Sequence, residues 1–72
     1  MNKDLLRSVM ALYGDTFGDL ADFLGISPQS VSNKVNEKVI NKKKIEFRQG
    51  EITAIKNRYG LTSEQVDAIF FN

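Results

Sequence analysis

The chain has 72 residues with no cysteine and no histidine, and 10 Lys and Arg against 9 Asp and Glu leave a net charge of +1. This length makes one domain, and the missing residue types exclude disulfides, thiolate chemistry and the usual zinc ligands. No apolar run approaches the roughly 20 residues that span a bilayer, and MNKDLLRSVM lacks the apolar stretch of a signal peptide. A cytoplasmic protein with no membrane role is expected.

A first helix is expected from about Lys3 to Tyr13, with Leu5, Leu6, Val9, Met10 and Tyr13 on a broad apolar face and Gly14 at its end. Thr16 caps a second helix over about Phe17 to Leu24, and Asp19 sits three residues on, within reach of the free amides. Leu20, Ala21 and Leu24 share its inward face. Gly25 stands where a helix ends in the left-handed conformation that glycine adopts freely. Ile26 is expected as a buried pivot. Ser27 caps a third helix over about Pro28 to Asn36, and Pro28 takes the first position, where its missing N–H costs nothing. Val31 and Val35 give that helix its inward stripe, and the small Ala21 lets the two helices cross closely.

Residues 37–46, EKVINKKKIE, read as a polar, lysine-rich connection, extended near Val39 and Ile40. A fourth helix is expected from Phe47 or Arg48 to Tyr59, with Ile52, Ile55 and Tyr59 inward, Gly50 weakening its first turn and Gly60 as the stop. Thr62 and Gln65 have the spacing of a capping box for a fifth helix, whose buried side is Val66, Ile69 and Phe70. The reading is an all-α, compact five-helix bundle over residues 1–72, with a helix-turn-helix at about residues 16–36.

Charge is unevenly spread. Residues 1–33 hold Lys3 and Arg7 against Asp4, Asp15, Asp19 and Asp22, a net of −2. Residues 34–48 hold Lys34, Lys38, Lys42, Lys43, Lys44 and Arg48 against Glu37 and Glu46, a net of +4. Positive charge therefore gathers just after the third helix, where Lys42, Lys43, Lys44 and Arg48 could grip phosphates. The bland alternative is a solvated loop. Catalysis is not expected. Asp19 and Asp22 lie i, i+3 on a helix, but no nucleophile, metal ligand set or oxyanion hole accompanies them, and no Gly-rich phosphate loop is present. No cofactor, metal or small-molecule substrate is implied.

The spacing Thr16, Leu20-Ala21, Leu24-Gly25-Ile26-Ser27 and Val31-Ser32 resembles the Cro/repressor (Xre-type, lambda-repressor-like) helix-turn-helix family of phage and bacterial regulators. Ile45-Glu46-Phe47, Ile52, Ile55, Leu61-Thr62 and Ile69-Phe70-Phe71 are similar to the fourth and fifth helices of that family. In size and character the chain is most similar to the modulator-of-repression (antirepressor) proteins of lactococcal phages. The resemblance implies a lambda-repressor-like bundle and a place in a phage lysis–lysogeny switch. Carried over from the family, the base-reading positions are Gln29, Ser30, Ser32, Asn33 and Lys34; the basic stretch after the helix adds Lys38, Lys42, Lys43 and Lys44 as DNA-contacting candidates. Gln and Asn can pair with adenine N6 and N7, while lysine supplies phosphate attraction without sequence information.

Two departures speak against simple DNA binding. The first position of the second helix, usually a polar phosphate holder in the family, is Phe17. Asp15, Asp19 and Asp22 lie close by and repel a DNA backbone within a Debye length of about 8 Å. Phe17, Asp19, Asp22 and Phe23 instead suggest an apolar, acid-rimmed patch for a protein partner. Folding of the two phenylalanines over the core edge, and Asp19 as a plain cap, are the structural alternatives. The expectation is an antirepressor that binds the DNA-binding domain of the cognate phage repressor, with or without DNA contact of its own. The alternative is a Cro-type regulator that reads operator DNA with the helix at 28–36.

Overall fold

Helices α1 (Lys3–Leu12), α2 (Phe17–Leu24), α3 (Pro28–Val35), α4 (Gln49–Tyr59) and α5 (Ser63–Phe70) account for most of the chain, with strands β1 (Val39–Ile40) and β2 (Lys43–Lys44) between α3 and α4. This is a computed structural model, and it describes residues 1–71. The expected all-α class holds in its coarse form: the domain is small and mostly helical. Its radius of gyration, 11.5 Å, is close to the roughly 11 Å of a compact folded chain of this length. Among the described residues, no helix is long and apolar enough to cross a membrane.

Local chemistry sets the helix ends. The Thr16 hydroxyl accepts from the Asp19 N–H at 3.2 Å, and the Asp19 carboxylate accepts from the Thr16 N–H at 2.9 Å, closing a reciprocal box. Thr62 and Gln65 repeat this at α5, at 3.1 and 2.8 Å. The Ser27 hydroxyl accepts from the Ser30 N–H at 3.1 Å, with Pro28 at the start of α3. Gly25 has φ 72°, and its turn lets the Ile26 N–H reach back to the Ala21 carbonyl at 3.0 Å. α3 ends the same way without a glycine. Glu37 takes φ 51°, and the Lys38 N–H donates to the Asn33 carbonyl at 2.9 Å.

One cluster of buried side chains draws on every helix. Leu6 and Met10, Leu20 and Ala21, Val31 and Val35, Ile52, Ile55 and Tyr59, and Val66 and Ile69 meet there, joined by Phe47 and Leu61 from the flanking loops. Among the described residues no charged side chain is buried, and the one hydroxyl in the core, that of Tyr59, is hydrogen-bonded to Asp15, so the roughly 1.5–3 kcal/mol that each buried apolar side chain contributes is not offset by an unpaired polar group. α2 packs on α3, while α5 packs on both α1 and α4. Ala21 is fully buried.

Several expectations are corrected. Tyr13 and Leu5 leave the inward face of α1, Tyr13 being 56% exposed. Tyr13 lies beyond the end of α1, where its ring lies 5.2 Å from that of Tyr59 and its hydroxyl donates to the Tyr59 carbonyl at 3.0 Å. Ile26 is half-buried rather than buried, and Phe47 is a core residue ahead of α4 rather than its first turn. The connection 37–46 is extended at Val39 and Ile40 as expected, and it also pairs with itself as a β-ribbon, Val39 with Lys44 and Ile40 with Lys43. Asn41 and Lys42 have φ 52° and 65°, which a two-residue type I′ hairpin turn requires at both positions.

Candidate functional site

The acidic, aromatic side of α2 divides into parts with different partners. Phe17 is half-buried and packs against the core, with the Arg7 guanidinium carbon 5.6 Å from its ring centroid. Phe23, one and two-thirds turns on, is 45% exposed. The Asp19 carboxylate is taken up by the cap at Thr16, accepting from both its N–H and its hydroxyl. Asp22 is exposed, and its carboxylate has no ion-pair or hydrogen-bond partner among the described residues. The surface left for a partner is therefore Phe23 with Asp22, and Phe17 serves mainly as a prop for the core edge.

A network that was not visible in the sequence positions Phe23. Asp15 accepts from Arg58 at 2.8 and 3.1 Å and from the Tyr59 hydroxyl at 2.7 Å. The same guanidinium lies 4.7 Å from the Phe23 ring centroid, at cation–π distance. The Arg58 guanidinium, then the Tyr59 hydroxyl, hold the Asp15 carboxyl below the usual carboxylate range. Asp15 in turn raises the Arg58 pKa. Burial, reinforced by Asp15, pushes the Tyr59 hydroxyl up to about 12. Asp15 and Arg58 are 43 positions apart, and no local pattern signals such a pair.

On α3, Gln29 is exposed and donates through Nε2 to Asn33 Oδ1 at 3.0 Å, one turn on. Ser32 accepts from Asn36 Nδ2 at 3.3 Å. Gln29, Asn33 and Asn36 thus form a polar stripe on the side away from Val31 and Val35, with Ser32 on its flank. Ser30 lies off that stripe and is hydrogen-bonded to the Ser27 cap, at 2.9 Å between hydroxyls. Lys34 is withdrawn from the reading face: its ammonium lies 2.9 Å from Glu51 Oε1 and 6.0 Å from the Phe47 ring, with its side chain 13% exposed. Burial raises the Glu51 carboxyl, but the Arg48 N–H and the Lys34 ammonium outweigh it and bring the net pKa below the ordinary value.

The hairpin carries the other lysines. Lys44 is paired with Glu37 at 3.0 Å and Glu46 at 3.5 Å, and Glu37 raises its pKa. Glu37, which also accepts from the Met1 amine at 2.8 Å, is lowered by that amine and by Lys44. Lys38, Lys42 and Lys43 are exposed and meet no carboxylate among the described residues. Val39 and Ile40 stand exposed between them. Among the described residues, no group of three or more potential metal ligands is assembled. Comparison with known proteins returns no match: no family model fits the chain, and no curated protein and no solved structure matches it.

Proposed function

We propose that this chain is a small helix-turn-helix regulator of a phage lysis–lysogeny switch that acts as an antirepressor, binding the DNA-binding domain of its cognate repressor. One observation carries the reading: α2 presents an exposed aromatic, Phe23, beside an unpaired carboxylate, Asp22, while α3 has its only cation, Lys34, turned away onto Glu51. A surface that reads DNA needs cations toward the phosphates. A surface that covers a basic DNA-binding face needs an apolar anchor with acids at its rim, because opposite charges steer and orient the encounter. The corner from α2 through Gly25 to α3 supports the helix-turn-helix assignment.

The test is complex formation between the chain and the repressor's DNA-binding domain, by size-exclusion chromatography and calorimetry. A complex at micromolar concentrations is expected, and Phe23→Ala should weaken it by about 2 kcal/mol, roughly 30-fold. Absence of a complex with the unmodified chain rejects the reading. Phe17→Ala is the poorer probe, since Phe17 also supports the core.

A second reading, direct operator binding, is favoured by the Gln29 and Asn33 stripe, flanked by Ser32, together with the exposed Lys38, Lys42 and Lys43. Affinity for operator against random duplex over a salt series tests it. Equal, weak affinity for both removes it.

A further inference from the structure

We infer that the partner's basic face docks over the groove between the end of α2 and the start of α4, meeting Asp22 beside it, and that it inserts into the groove itself an apolar side chain accompanied by one carboxylate. This inference rests on the antirepressor reading and names the contact through which it works. The groove has a volume of about 410 Å³ and is lined by Phe23, Leu24, Arg48, Gly50, Glu51 and Ala54. Gly50 and Ala54 are i, i+4 on α4 and so stack on one face of that helix, with no side chain beyond Cβ. The α4 wall is therefore low, and Phe23 and Leu24 stand across from it.

Charge decides what fits. Glu51 is already satisfied, by Lys34 at 2.9 Å and by the Arg48 N–H at 2.8 Å. The Arg48 guanidinium has no carboxylate partner among the described residues. The rim thus offers one cation without an ion-pair contact beside the apolar Phe23, Leu24, Gly50 and Ala54. A partner with an apolar side chain alone leaves Arg48 unpaired, whereas a neighbouring carboxylate matches its planar fork. Phe23 is held by Arg58, which Asp15 anchors, so the anchor ring loses little freedom on binding.

The experiment is an NMR titration of the isotope-labelled full chain with 4-methylpentanoate, 4-methylpentanamide and 3-methylbutylammonium. Shifts at Leu24, Gly50, Glu51 and Ala54 are expected, with the carboxylate about threefold tighter than the amide, as an exposed ion pair allows, and the ammonium weakest. Arg48→Gln should equalise carboxylate and amide. Ala54→Phe should abolish the shifts, and Gly50→Leu, where nothing lies within 4 Å of an added Cβ, is a second filling variant. Equal binding of all three probes, or shifts elsewhere, overturns the inference. So does movement of these signals on diluting the chain alone, which would place a second copy in the groove. In parallel, the filled variants are mixed with the repressor domain. Loss of the complex with a melting temperature no lower than that of the unmodified chain supports the groove, and a complex that tolerates filling removes the groove alone. No complex with the unmodified chain removes the antirepressor reading itself.

Discussion

Arg58 grips Asp15 through two hydrogen bonds, of 2.8 and 3.1 Å, and so ties the loop after α1 to the last turn of α4. Asp15→Asn should lower the melting temperature at neutral pH, because it replaces a charge-assisted pair by a neutral amide. The carboxyl pKa is depressed below 3.8 in the folded chain. Between the folded and unfolded values the unfolded chain therefore binds more protons, and stability rises with pH. The contribution is complete above about 3.8 and is lost as pH falls through the folded value. Thermal melts of both proteins from neutral to strongly acid pH should converge at the acid end; a constant gap would contradict this.

At the alkaline end Tyr59 acts with the opposite sign. Its hydroxyl ionises near 12 in the folded chain, against 10 for the free group. Between those values the folded chain holds the proton more tightly, so stability falls as pH rises. Tyr59→Phe should cost roughly 1.5–3 kcal/mol at neutral pH through the lost hydrogen bond to the ionised Asp15, and it should flatten the alkaline loss. Urea midpoints across the alkaline range measure both effects.

Two glycines should respond in opposite directions to alanine. Gly25 has φ 72° with nothing within 4 Å of an added Cβ. Gly25→Ala therefore meets no clash and should lose only the conformational term, about 1–2 kcal/mol. Gly50 lies in the first turn of α4 with the same open space and no positive φ. Gly50→Ala should stabilise by up to about 1 kcal/mol through helix propensity. Chemical denaturation checks the pair, and a shared sign would refute the assignment of the Gly25 corner.

Glu51 governs what Lys34 can do. Glu51→Gln removes the carboxylate that holds the ammonium at 2.9 Å, which frees Lys34 for phosphate. Affinity for random duplex DNA should rise at low salt. The log–log salt slope should steepen by about 0.9, the value for one neutralised phosphate. An unchanged slope would mean that Lys34 cannot reach the backbone even when released.

The helices were legible because their signals are local. Thr16 with Asp19, Ser27 with Pro28 and Thr62 with Gln65 cap within four residues, and the inward valines of α3 follow the helical period. The hairpin escaped notice because Asn41-Lys42 lacks the glycine that usually marks a type I′ turn, and Lys42 accepts φ 65° all the same. Lys34 was expected as a reading residue through the family resemblance. Helical spacing places it at the edge of the polar face, but nothing in the spacing says that Glu51 waits beside it.

Cap chemistry and apolar periodicity in the chain dictate where each helix begins, ends and turns inward, since these depend on neighbours three or four residues away. Which charges remain available to a partner was settled by contacts such as Asp15 with Arg58 and Lys34 with Glu51. Those pairs join residues far apart in sequence and exist only once the helices have packed, so no reading of spacing alone can supply them.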